Sequence, residues 1–247
     1  MIGFFLCFLV LPHKNYPTYF NTRYERTMYS RSSCFSMDMT KGYIDGMGKI
    51  ERLNLINSIT GIKPANLVGT KSDKGIDNLA IFTSAVHIGS NPPLIGLVFR
   101  PIEEVPRHTY ANIQATGYYT LNGLPLAKAH EGHYTSAKFD ADESEFSACG
   151  FTPRYHTDFP APFVKESPIQ IGLKLTEEVV IKSNNTRLLI GEVIHLHIED
   201  RLLTNEGYLD LDKGQLAGIS GLNSYYGLEK KADYPYARKE DWLKGIS

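Results

Sequence analysis

Residues 169–200 limit what this chain can fold into: "IQIGLKLTEEVVIK", then "SNNT", then "RLLIGEVIHLHIED". Two long arms of β-branched and aliphatic residues flank a short turn in which Asn184 and Asn185 tolerate a left-handed backbone. That pattern is an antiparallel β-hairpin. Parallel strands need crossover connections, and no alternation of strand and helix runs along this chain, nor any internal repeat. Long antiparallel strands expose unpaired edges unless the sheet closes on itself. The expectation is a mainly β protein, a closed or nearly closed antiparallel barrel with a few flanking helices.

The remaining segments fit around that hairpin. "GKIERLNLINSITGI" sets Ile50, Leu53, Ile56 and Ile59 at helical spacing before Gly61, predicting an amphipathic helix. Strands are predicted at 65–70, 78–84 and 94–99, the last apolar throughout ("LIGLVF") and so covered on both faces. "RHTYANIQATG" reads as a helix stopped at Gly117, followed by the strand "YYTLN". Residues 124–147 show no clean period and read as helical or irregular. "FPAPFVKESP" reads as a Pro-rich connection over the surface, "GYLDL" and "GISGLNSYYGL" as late strands, and "YPYARKEDWLKGIS" as a polar tail.

A net charge of -1 predicts neither nucleic acid nor an anionic membrane as partner. The three cysteines, Cys7, Cys34 and Cys149, form no C-x-x-C pair. They make neither a disulfide framework nor a zinc site, and they fit a reducing, cytoplasmic compartment. Cys149 has no basic neighbour in sequence and reads as a buried, inert thiol. Residues 1–36 differ in composition from the rest. "MIGFFLCFLVLP" is too short to span a bilayer, and Lys14, Arg23, Arg26 and Arg31 face only Glu25. A domain of residues 37–247 is expected, starting near Met37 or Met39. The leading 36 residues are left outside the fold as an upstream start, a weak targeting segment or an anchor.

Several cofactor motifs are missing. No G-x-G-x-x-G follows a strand, no Gly-Lys-Ser/Thr stands at P-loop spacing, and no G-x-S-x-G elbow occurs. "HEGH" at 130–133 and "HLH" at 195–197 hint at metal ligation. Without a third ligand or an acidic partner, no metal is expected, and His195 and His197 read as solvent-facing barrel residues.

The segment "NLAIFTSAVHIGSNPPLIGLVFRP" (78–101) carries the ligand chemistry. Thr83, Ser84 and Ser90 supply hydroxyls, and Gly89 permits close backbone approach, which together suit phosphate. Asn78 and Asn91 add amides suited to the edge of a heterocycle, and Pro92-Pro93 a flat apolar wall. Arg100, Arg107 and His108 lie just ahead of a helix for which Pro106 and Thr109 are start signals, and a helix start binds anions. These features point to a phosphorylated aromatic cofactor; a hydroxyl-rich structural loop is the competing reading.

"NLVGTKSDKGIDNLAIFTSAVHIGSNPPLIGLVFRP" with "RHTYANIQATGYYTLN", "AHEGHYTSAKFDADESEF" and "APFVKES" resembles the flavin reductase-like family of FMN-binding split barrels over roughly residues 45–228. The resemblance implies a Greek-key split β-barrel that forms a homodimer with FMN near the subunit interface. It implies flavin contacts at Asn78, Phe82, Thr83, Ser84, Ser90 and Asn91. Phosphate contacts would fall on these hydroxyls with Arg100 or the Arg107-His108-Thr109 group, and "HYTSA", with His133 and Ser136, would lie over the ring. The implied activity is reduction of flavin by NADH or NADPH, hydride passing to flavin N5, with electrons delivered to a flavin or small-molecule acceptor. No side chain is assigned as catalytic; His87 and His133 are the proton-handling candidates. The alternative is a non-catalytic split-barrel protein that binds or senses FMN or haem.

Overall fold

The computed structural model describes residues 36–103, 105, 107–156 and 158–243. The leading segment to residue 35, Cys7 and Cys34 within it, and Pro106 lie outside the described residues. The chain divides into two compact units, Met1–Met47 and Gly48–Ser247. In the first, α1 (Lys41–Gly46) begins at Thr40, whose hydroxyl accepts from the Tyr43 N–H at 3.4 Å.

The second unit opens with α2 (Lys49–Ser58), where the helical spacing placed it. Its apolar stripe is not buried: Ile50, Ile56 and Ile59 are exposed. The strands that follow are β1 (Lys63–Pro64), β2 (Asn66–Lys71), β3 (Asp77–Phe82), β4 (Ala85–Ser90) and β5 (Pro93–Phe99). Then come α3 (His108–Thr116), capped by Gly117 at φ 75°, and β6 (Tyr118–Gly123). Residues 124–147 hold α4 (Ala129–Tyr134) and the start of α5 (Glu145–Ala148). After β7 (Pro153–Arg154) and β8 (Phe163–Val164) comes the long hairpin, β9 (Ile169–Ile181) and β10 (Thr186–Ile198). Asn185 takes the left-handed conformation at φ 57° that the turn chemistry predicted. α6 (Leu211–Gly214), β11 (Ala217–Ser220), β12 (Ser224–Gly227) and α7 (Lys239–Leu243) complete the unit. "GYLDL" is not a strand: it contributes a single bridge, Leu203 to Leu209, before α6.

Seven strands pair antiparallel in the order β3-β2-β6-β9-β10-β5-β4. The two outermost strands, β3 and β4, are consecutive in sequence, joined only by Thr83 and Ser84. Three virtual bonds span at most about 11 Å, so the sheet curls until its edges meet at that link. Val98 N–H donates to Ser84 O (3.3 Å) and Ser84 Oγ to Val98 O (2.7 Å), fastening the corner to β5. The interior is filled by Val68, Leu97, Phe99, Ile113, Tyr119, Leu121, Leu173 and Leu189. A second core, with Leu67, Leu79, Leu124, Phe146 and Ile219, lies under α5 and the small sheet β1-β11-β12.

The Pro-rich stretch 159–168 corrects the sequence expectation, because it is not a surface connection. Phe159, Ala161, Phe163 and Val164 are buried against the sheet. Gly69 and Gly172 make room for it: a Cβ on Gly69 would collide with the Pro162 carbonyl, and one on Gly172 with the Phe159 ring. Prolines bring no N–H that needs a partner. Thr120 Oγ1 donates to Pro162 O (2.7 Å), and Val164 N–H donates to Asn122 Oδ1 (3.1 Å).

Candidate flavin site at the barrel seam

The predicted loop between residues 83 and 91 is itself largely a strand. β4 pairs with β5, with a register shift between His87 and Gly89, and the chain reverses at Ser90–Pro93 through a cis Asn91–Pro92 bond. At about 3.3 Å per residue, Ser84 and Ser90 stand roughly 20 Å apart along β4. The structure therefore does not bring Gly89, Ser90, Asn91 and Pro92 together with Thr83 and Ser84 in one cradle. The turn residues Ser90, Asn91 and Pro92 are exposed, as is His87.

Other predicted residues do converge. Phe82 meets Phe99 edge-on at 5.0 Å, and Phe99 meets Tyr110 of α3 at 5.7 Å. This aromatic row joins the Thr83–Ser84 corner to the helix, with the exposed Arg100 one residue beyond Phe99, the last residue of β5. Asn78 Nδ2 donates to Thr109 Oγ1 (3.1 Å), and Asn112 Nδ2 donates to Thr70 Oγ1 (3.1 Å). Thr70 and Asn78 are cross-strand partners, so two Asn–Thr pairs seat the first turns of α3 on β2 and β3. Arg107 is the N-cap and makes no side-chain capping bond; its buried Nε has no hydrogen-bond partner among the described residues. A helix start carries partial positive charge and free N–H groups. The uncapped start, the orphaned guanidinium nitrogen and the Thr109 hydroxyl form a donor set without an acceptor, which fits a phosphate group.

His133 and Ser136 sit at the end of α4, which packs against β3. Ser136 Oγ donates to His133 O (2.7 Å), and His133 Nδ1 lies 3.2 Å from Tyr225 Oη. Burial pushes the Tyr225 hydroxyl up to about 12. Sequence reasoning missed Tyr225, which reaches His133 from β12 across many residues of chain. It also missed Glu145. Its side chain is 5% exposed, and Oε2 accepts the Leu79 N–H of β3 at 2.9 Å. Burial raises its pKa, opposed by the Leu79 hydrogen bond and by His108 nearby. In sequence Glu145 is one of several acidic residues in "DADESEF", with nothing local to set it apart. Cys149 is buried as expected, its pKa raised by burial and by Glu145.

His195 and His197 are not solvent-facing, contrary to the sequence reading: both are half-buried against the 153–164 segment. Among the described residues no group of three or more His, Cys, Asp or Glu side chains is arranged to hold a metal ion. No helix there is long and apolar enough to cross a membrane.

A split antiparallel barrel with an anion-ready helix start beside its seam defines a class of small-ligand binders. Comparison with known proteins narrows the class: the flavin reductase-like domain model matches residues 62–216, and the chain belongs to that family. A split-barrel protein from Shewanella frigidimarina NCIMB 400, assigned to the flavin reductases, is 42% identical with a TM-score of 0.78, covering 82% of this chain and all (100%) of that one. Nitrilotriacetate monooxygenase component B from Bacillus cereus shares the fold at 19% identity and a TM-score of 0.72, covering 82% of this chain and 100% of its own. The uncharacterized protein BH2278 of Halalkalibacterium halodurans is 27% identical over 200 residues, 77% of this chain and 94% of that protein.

Proposed function

We propose that this chain is an FMN-dependent oxidoreductase that takes electrons from NADH or NADPH and works as a homodimer. The observation that carries the reading is the orphaned, buried Arg107 Nε at the uncapped start of α3. Arg107, His108 and Thr109 would hold the FMN phosphate. Phe82, Thr83 and Arg100 at the seam would receive the rest of the cofactor, with Ser84 holding the corner and His133 and Ser136 approaching from α4. FMN held there would supply two-electron chemistry, with NADH or NADPH as hydride donor to N5 and a flavin or small molecule as the acceptor.

The protein's own part is to bind and orient. Asn78 can only donate through its amide nitrogen, so Thr109 Oγ1 accepts there and keeps its own proton for an anion. Arg107 adds charge-assisted donation from a group that does not deprotonate. His133 Nδ1 shares a hydrogen bond with Tyr225 Oη, which orients the imidazole on α4.

The test is FMN titration of wild type and Arg107→Gln by quenching of flavin fluorescence, with NADH and NADPH oxidation followed alongside. Saturable binding weakened at least about tenfold in the variant, with FMN-dependent oxidation of one nucleotide, is the expected result. Binding without oxidation of either nucleotide identifies a flavin carrier or sensor. Equal affinity in wild type and variant removes the phosphate assignment.

A further inference from the structure

A second cluster of ionisable groups lies outside the seam. His195 and His197 belong to β10, and a register shift between Val193 and His195 sets them opposite Gly172 and Gln170 of β9. A bulge turns side chains to a different face of the sheet, and here it joins both imidazoles to the 153–164 segment. The His156 ring lies 4.6 Å from His195, tilted by 32°, and 5.2 Å from His197, tilted by 38°. Phe163 and Phe159 back the group, 5.4 and 6.1 Å from His195.

The hydrogen bonds fix which nitrogens carry protons. Gln170 Nε2 lies 2.9 Å from both Val164 O and Ser167 O, so it is the donating end of that buried amide. Gln170 Oε1 therefore accepts from His156 Nε2–H at 3.2 Å. Arg154 Nη1 donates to His197 Nε2 at 3.1 Å, which requires a lone pair on that nitrogen and places the proton of neutral His197 on Nδ1. Among the described residues no carboxylate forms an ion pair with Arg154, and Glu199, the acid near His197, is engaged by Arg201 at 2.6 Å. Burial and the neighbouring cations hold His195 and His197 below the ordinary imidazole range. The Arg154 guanidinium thus rests on a neutral imidazole, with two more imidazoles beside it and apolar rings behind, and its charge is paired by no described carboxylate.

We propose that Arg154, His156, His195 and His197 form a second binding site, one for a phosphate group. Three imidazoles and a guanidinium offer several donors to a tetrahedral oxyanion whose second ionisation falls at about pH 6, in the imidazole range. Binding draws protons onto His195 and His197, since a dianion beside them offsets the burial and the positive neighbours that lower their pKa. Metal chelation does not fit, because no three of the described His, Cys, Asp or Glu side chains are arranged to hold a metal ion. The phosphate is either free in solution or the 2′-phosphate of NADPH. The site itself stands whether or not FMN binds at the seam.

The experiment is a titration of the full-length protein followed through the histidine Cε1–H resonances in NMR spectra. Inorganic phosphate, NADPH and NADH are added in separate arms, with sodium chloride matched for ionic strength. The expected result is a saturable shift of three histidine signals with phosphate, an upward move of the His195 and His197 titration midpoints, and no such response to chloride. Arg154→Gln and His195→Gln, checked for intact fold by circular dichroism, weaken the phosphate response about tenfold. NADPH acting more tightly than NADH assigns the site to the 2′-phosphate; response to inorganic phosphate alone assigns it to the free anion. Shifts that match chloride in wild type, or that persist undiminished in both variants, overturn the proposal.

Discussion

Asn78 Nδ2 and Thr109 Oγ1 stand 3.1 Å apart, joining an outer strand of the barrel to the start of α3. Both residues are buried, at 6% and 5% exposure, so the bond is shielded from competing water. Its direction matters more than its strength. An amide nitrogen cannot accept, so the threonine hydroxyl must aim its proton elsewhere. Asn78→Asp keeps the size and reverses the polarity, drawing that proton back. FMN affinity is expected to fall at least about tenfold, the equivalent of one hydrogen bond to a charged group. Titration calorimetry reads this directly, and unchanged affinity removes Thr109 from the phosphate site.

On the proposed reading, Thr83 and Ser84 are expected to separate, Thr83 serving cofactor binding and Ser84 the fold. Ser84 Oγ is committed to Val98 O at 2.7 Å. Ser84→Ala is expected to cost about 1 kcal/mol of stability by loss of that bond. Thr83→Ala leaves the corner intact and lowers FMN affinity instead. Thermal melts and FMN titrations on both single variants check the division; a swap of the two phenotypes refutes it.

Stability should fall on mild acidification. The folded-state pKa values of His195 and His197 lie below the ordinary 6.5, first through burial and then through cationic neighbours. The unfolded chain therefore binds more protons below about pH 6.5, so stability declines from there as pH falls toward the folded values. The groups facing them are Arg154, His156 and Glu199. Urea melts between about pH 7 and pH 5 measure the slope, and a His195→Gln/His197→Gln variant should flatten it.

Glu145 acts with the opposite sign. Its folded pKa is raised, first by burial, so the stability it contributes is complete below its ordinary 4.5 and is lost as pH rises through the folded value. Glu145→Gln keeps an oxygen for the Leu79 N–H and removes the charge. The variant should match or exceed wild type in melting temperature at pH 7 and lose part of the pH dependence above 4.5. A marked loss of stability at pH 7 contradicts this account.

Much of the barrel was legible because its strongest signals are local. The β9–β10 hairpin declared itself through long arms and a turn whose Asn185 adopts the expected left-handed conformation. The α3 stop at Gly117 was equally readable. β4 was not, because "AVHIGS" places a histidine, a glycine and a serine where a strand reader looks for alternating apolar residues. Its pairing with β5 supplies what composition withheld. The buried 159–164 segment depends on Gly69 and Gly172, far away in sequence, to open space for it. The face chosen by His195 and His197 depends on a bulge that no periodicity reports. At the seam, the Asn78–Thr109 bond and the Glu145–Leu79 bond are long-range pairings that a residue list cannot foresee.

The two-residue link at Thr83–Ser84 also bears on how the protein avoids its own kind. The outermost strands of a β-sheet normally offer rows of unpaired amides to any passing chain, the first step toward fibrils. Here those two strands are one continuous stretch bent back across the seam, and the outward Leu79 amide of β3 is already taken by Glu145. A passing strand is denied a straight, unoccupied margin on which to extend the sheet. Lengthening the link would let the margins part, turning a closed container into an open template.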